Sequence, residues 1–221
     1  MLAALAAAVL VIGAGCGDND PAPAGDAATL AAAARGDAAE VRRLLAAGAD
    51  PDARSDSGRT AVIEAAYGGH ADVVRILVEA GADVDLQDDT RANALLSTGE
   101  TGDLAVLEEV LRAGPDLTRT NRFGGTALIP AADRGHVAVV RRLLDTAIDV
   151  DHVNDLGWTA LLEAVILGDG GPRHVEIVRL LVDAGADTGI ADQDGVTALE
   201  HARRSGYAAM VKILAGAGQG A

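Results

Sequence analysis

Residues 57–83 read SGRTAVIEAAYGGHADVVRILVEAGAD. A short apolar segment, Ala61 to Tyr67, is followed after Gly68-Gly69-His70 by a longer one, Ala71 to Ala80, in which Val73, Val74, Leu77 and Val78 recur at helical spacing. Both segments therefore read as helices with one apolar face. Isolated helices shorter than about 12 residues are marginal in water because nucleation is unfavourable, so the pair needs a neighbour to pack against. The sequence supplies neighbours. Gly48, Gly81 and Gly114 stand 33 residues apart, as do Gly36, Gly69, Gly102 and Gly135, and Thr60, Asn93, Thr126 and Thr159 follow the same step. Thr197 comes 38 residues after Thr159, and placing five extra residues at Asp169-Gly170-Gly171-Pro172-Arg173 restores the register.

The stretch tracks the pattern G-x-T-P-L-H-x-A-A-x-x-G-H-x-x-V-V-x-x-L-L-x-x-G-A-D, and its period of 33 is the ankyrin period. The chain resembles the ankyrin-repeat family from residue 29 to about 217, in six units: 29–54, 55–87, 88–120, 121–153, 154–191 and one from 192. Within that family, Gly124 to Asp187 is most similar to bacterial ankyrin proteins, which are mostly interaction modules. The resemblance implies an all-α solenoid of stacked helix-turn-helix units joined by hairpin loops.

Local chemistry agrees with this reading. The pairs Ala65-Ala66 and Ala131-Ala132 let first helices approach closely, and Gly81, Gly114 and Gly185 suit the left-handed position that ends a second helix. Gly58, Gly124, Gly157 and Gly195 suit the hairpin turn. Thr60, Thr126, Thr159 and Thr197 stand at helix starts, where a hydroxyl caps, and Thr197 with Glu200 makes a capping box. There are departures. Ala61, Ala127, Ala160 and Ala198 replace the usual Pro, and Ile63, Leu96, Ile129, Leu162 and Glu200 replace the usual His, so apolar packing is expected in place of a His–Thr hydrogen bond. The third unit departs most: Arg91 replaces the turn Gly, Asn93 the capping Thr, Asp103 the His, and Gly99 lies inside the short helix at about 0.5–1 kcal/mol relative to Ala. It is expected to be the softest unit.

Composition narrows the function. A formal net charge of −15 with a pI near 4.5 and no local Lys/Arg cluster argues against nucleic acid as a partner. With aromatics at 2%, the core must come from Ala, Leu, Val and Ile. The single cysteine, Cys16, excludes an internal disulfide framework. The apolar run Leu2 to Gly15 is too short for a bilayer span but fits a signal-peptide core, and Ile12-Gly13-Ala14-Gly15-Cys16 resembles a bacterial lipobox. Residues 1–16 are thus expected to be a signal peptide with Cys16 lipidated, 17–28 a flexible Gly/Ala/Asp/Pro tether, and 29–221 the repeat domain. The lipobox implies an exported protein, periplasmic or anchored on the outer membrane, touching membrane only through that lipid. A plain secretory signal and an unprocessed cytoplasmic chain remain the alternatives. A monomer is expected.

No catalytic signature stands out. There is no nucleophile elbow, no phosphate-binding glycine loop and no Cys–His pair outside the leader. His70, His136 and His174 occupy the Gly-His slot or its shifted equivalent, where the ring ties down a loop, and His152 and His201 have no partner at metal-ligand spacing. No catalytic residue, metal or cofactor is expected. The competing reading is a small-ligand, metal or enzymatic pocket beside the inserted loop 169–173.

The resemblance implies that a partner protein is bound by non-framework residues of the hairpin tips and first helices. Those slots select Tyr67 in the second unit, Arg122, Phe123, Asp133 and Arg134 in the fourth, and Asp155, Leu156 and Trp158 in the fifth, with Arg173 in the inserted loop. Three of four aromatics, Tyr67, Phe123 and Trp158, fall in this set. Either they anchor a partner, as aromatics and arginines do at hot spots, or Phe123 and Trp158 pack against neighbouring hairpins.

Overall fold

The computed structural model describes residues 24–217. Among these, twelve helices follow one another in pairs: α1 (Ala24–Ala34) and α2 (Ala38–Ala46), α3 (Ala61–Tyr67) and α4 (Ala71–Glu79), α5 (Ala94–Thr101) and α6 (Leu104–Arg112), α7 (Leu128–Asp133) and α8 (Val137–Leu144), α9 (Ala160–Ile166) and α10 (Pro172–Asp183), α11 (Ala198–Arg204) and α12 (Ala208–Ala217). First helices stack in the order α1, α3, α5, α7, α9, α11, and second helices in the order α2, α4, α6, α8, α10, α12. The result is the all-α ankyrin solenoid of six units.

One set of slots builds the core in every layer. Val62, Leu95, Leu128 and Leu161 are buried on successive first helices, and Leu77, Val110, Leu143 and Leu181 on successive second helices. Apolar side chains two helices deep thus form one continuous column, closed at the last unit by Met210 and Leu214. The Ala pairs are wholly buried at the tightest crossings. In the third unit this slot holds Thr98-Gly99, and a methyl group at Gly99 would run into the Ala127 carbonyl oxygen of the next unit. Gly99 is therefore a close-packing residue rather than a defect.

Other losses in that unit are also compensated. Asn93 Oδ1 accepts from the Leu96 N–H at 2.8 Å and Asp103 Oδ1 from the Val106 N–H at 2.9 Å, so both helices are capped. Arg91 takes the glycine's turn conformation itself, at φ +63°. Capping elsewhere follows the sequence only in part. Thr159 accepts from the Leu162 N–H and Thr197 forms a full capping box with Glu200, but Thr60 makes no capping bond and α7 starts with Ala127 at its cap. Among the described residues, the buried Thr60 Oγ1, Thr126 Oγ1 and Asn93 Nδ2 find no hydrogen-bond partner.

The boundary drawn at residue 28 is too late. The helix α1 begins at Ala24, Asp26 is buried and its Oδ1 accepts the Asp50 N–H at 3.0 Å, so Ala24 to Ala28 belong to the first unit. Gly and Ala composition suggested a tether, while Ala's helix propensity decides the conformation. The leader, Cys16 and the rest of the tether lie outside the described residues. Among the described residues, no helix is long and apolar enough to cross a membrane.

Candidate partner-binding face

Two ladders of hydrogen bonds hold the hairpins in register. In the first, Asp52, Asp85 and Asp151 accept the backbone N–H of Asp83, Asp116 and Asp187 in the next unit. In the second, Asp88, Asn121, Asn154 and Asp192 each fold the side-chain oxygen onto the N–H groups two and four residues on, fixing four hairpin tips. The repeated acids thus serve the turns. Among the described residues, no group of three or more His, Cys, Asp or Glu is placed to hold a metal ion.

Histidines tie three of the interhelical loops to the unit before. His70 Nε2 meets the Ala34 carbonyl at 3.3 Å, His136 Nε2 the Glu100 carbonyl at 3.2 Å and His174 Nε2 the Asp133 carbonyl at 2.7 Å. Tyr207 takes this slot in the last unit, donating its hydroxyl to the Gly168 carbonyl at 3.0 Å. Between α9 and α10 the insertion adds a turn to the second helix, with Pro172 at its start. There Asp169 Oδ1 accepts the Gly171 N–H and faces His174 Nδ1 at 2.9 Å, so the loop's polar groups are engaged with one another.

Two hollows open where hairpins meet first helices. The first, about 250 Å³, is lined by Glu100, Asn121, Phe123, Ile129, Pro130, Asp133, Arg134, Asn154, Leu156, Glu163 and Leu167. The second, about 260 Å³, is lined by Arg59, Tyr67, Glu100, Asn121, Arg122 and Phe123. Phe123, Glu100 and Asn121 belong to both, so the hollows adjoin. Of the residues selected from sequence, Tyr67, Arg122, Phe123, Asp133, Arg134 and Leu156 come together here. Asp155, Trp158 and Arg173 line neither hollow: Trp158 packs against the apolar column, Asp155 sits on a hairpin tip with its N–H on the Phe123 carbonyl, and Arg173 lies in the first turn of α10. Trp158 is thus half-buried, packed on the apolar column rather than on a hairpin tip. Phe123 stays 53% exposed, with the Arg122 guanidinium 4.8 Å from its ring centre.

The hollows differ in their electrostatics. In the second, Arg59 reaches Asp88 at 3.3 Å and Glu64 at 3.4 Å and lies 4.8 Å from the Tyr67 ring centre. Tyr67 donates to Glu100 at 3.3 Å, and burial, reinforced by the Glu100 charge, pushes its hydroxyl above the usual phenol range. In the first, Glu163 is only 7% exposed and Asn154 Nδ2 donates to its Oε1 at 2.8 Å. Burial, then the nearby Asp133 charge, raise the Glu163 carboxyl to about 7, with the Asn154 bond pulling the other way. Sequence reading missed Glu163 and Leu167 as lining residues. The one available signal was an acid set in the middle of the apolar run Ala160 to Ile166.

Known proteins share this architecture. The family model for ankyrin repeats (3 copies) matches residues 1–88 and 95–192. YahD of Escherichia coli (strain K12), described as an ankyrin repeat protein, is 41% identical over 56 residues, which are 25% of this chain and 28% of that protein's length. The crystal structure of an ankyrin repeat domain from Acinetobacter baumannii AYE is 46% identical and superposes with a TM-score of 0.83, covering 86% of this chain and 97% of that one. The ankyrin repeat domain of Bcl-3, a member of the IκB protein family, is 26% identical with a TM-score of 0.78, covering 91% and 88% of the two chains. By the matched repeats and the stacked helix pairs alike, this chain belongs to the ankyrin-repeat family.

Proposed function

We propose that the chain binds a partner protein along the trough that runs from Tyr67 to Leu167, with Phe123 at its centre. Ankyrin repeats are protein–protein interaction modules, and one observation supports this location. Among the described residues, the exposed large apolar side chains are Leu104, Phe123, Val153, Leu156 and Leu167, and three of these five line the same hollow. An apolar patch beside Arg122 and Arg134, on an otherwise acidic molecule, has the composition of an interface centre. The paired change Phe123→Ala with Leu156→Ser is expected to abolish capture of native partners, leaving the circular dichroism spectrum and melting temperature unchanged. Undiminished capture would remove the trough as the binding face.

The leader extends this proposal. Cleavage before a lipidated Cys16 would hold the repeats by a short tether in the cell envelope, on the periplasmic side of the outer membrane, where they would hold or regulate a partner. The mass of the mature N-terminus checks it: a diacylated Cys16 is expected, and an intact Met1 would contradict it.

A further inference from the structure

Glu163 is a buried carboxyl without a counter-ion among the described residues. Its Oε1 is met by Asn154, and among the described residues its Oε2 has no hydrogen-bond partner and no cation lies within ion-pair distance of it. Burying a carboxylate unpaired is costly, and natural structures pair such groups or leave them protonated. The same first-helix slot is paired from within in two other units, and holds Ser97 and Pro130 in the third and fourth. On α3 it is Glu64, met by Arg59 at 3.4 Å, and on α11 it is His201, bonded to Asp192 at 2.7 Å. In the fifth unit the residue in register with Arg59 is Trp158, whose ring is packed on the core, so the internal cation is gone while its acidic partner remains.

We propose that the Phe123–Glu163 hollow seats an arginine or lysine side chain projecting from the bound partner, its cationic head on the Glu163 carboxylate and its aliphatic stem against Phe123, Leu156 and Leu167. This rests on the trough being the binding face and names what that face selects. The charge around the hollow favours it: Glu100, Asp133 and Glu163 line the cavity against Arg134 alone. The second unit displays the arrangement in miniature, a guanidinium lying between a first-helix Glu and an aromatic ring. The head displaces whatever proton Glu163 holds, so binding strengthens as the carboxyl ionises. The charged and titratable groups that share the hollow with Glu163 are Glu100 from α5 and Asp133 and Arg134 at the end of α7, with Asn154 from the hairpin bonded to it and the Asp133 main-chain carbonyl held by His174.

The test uses the ¹⁵N-labelled chain and four probes: n-butylguanidinium, n-butylammonium, uncharged n-pentanol and anionic pentanoate. At pH 8 the two cations are expected to shift the amides of Phe123, Leu156, Glu163 and Leu167 saturably, with n-pentanol and pentanoate at least about tenfold weaker. The cations should also weaken about tenfold or more at pH 5.5, where a carboxyl titrating near 7 is mostly protonated. Glu163→Gln, which keeps the shape and the Asn154 contact, should lose this affinity and its pH dependence while its amide spectrum stays native. Equal saturation by n-pentanol, tighter binding of pentanoate, or a Glu163→Gln chain that binds the cations like wild type would each overturn the proposal. A partner lost on Phe123→Ala/Leu156→Ser but retained at pH 8 by Glu163→Gln overturns the cation seat and leaves the binding face standing. A partner retained by every variant overturns the face itself, and with it this occupant.

Discussion

Glu163 is where the folded chain holds a proton that the unfolded chain releases. Its carboxyl titrates near 7 in the fold against 4.5 in the unfolded reference, so between those values the native state binds more protons than the denatured one. Stability from this group is therefore unaffected below about pH 4.5, falls as pH rises through the window, and carries its full penalty above about 7. Glu163→Gln is expected to raise the free energy of unfolding by roughly 2–3 kcal/mol at pH 8 and to leave it nearly unchanged at pH 4, read from urea titrations of both chains. Sequence gave no direct access to this. The run Ala160 to Ile166 displays an acid among apolar residues, but its isolation depends on Trp158 standing where the second unit has Arg59, a relation between units visible only by comparing register. Phe123 and Tyr67 were legible because the repeat fixes which slots face the trough. Trp158 occupies such a slot too, yet a slot does not say whether a large ring lies outward or folds down on the column beneath it.

At the scale of helices, most boundaries follow from the repeat itself. The α3 span Ala61–Tyr67 is the predicted one, and the helix-ending and hairpin glycines adopt the left-handed conformations their positions require. The misreadings came from residues whose role is set by the next unit. Gly99 looked like a weak point but meets the Ala127 carbonyl across the stack, and Thr60 and Thr126 looked like caps but their hydroxyls make no hydrogen bond among the described residues. The third unit still carries a non-glycine residue in left-handed geometry at Arg91, and its α5 is built from Ser97, Thr98, Gly99 and Thr101, all poorer helix formers than Ala. Hydrogen exchange is expected to be faster over residues 90–102 than over 126–135. Equal protection of the two stretches would show that packing by neighbours fully compensates for intrinsic propensity.

At the scale of the molecule, each unit touches only those beside it, so stability is a sum of units and interfaces rather than of one globular core. Removing α11 and α12 would leave α9 and α10 without a lid. The shortened chain is expected to unfold at lower urea, with a denaturant slope reduced by roughly one sixth, in proportion to the surface no longer buried. A slope unchanged by truncation would mean that the last unit was not part of the cooperative block. The one irregularity in the rod points elsewhere. The insertion from Asp169 to Arg173 adds five residues to the loop and the start of α10, yet His174 keeps its grip on the Asp133 carbonyl, 41 residues back where His70 and His136 reach 36. Extra sequence spliced there does not dephase the windings on either side. The joint between α9 and α10 is thus a natural port, at which a tag, a dye or a foreign epitope can be mounted beside the trough without loosening the spiral that carries it.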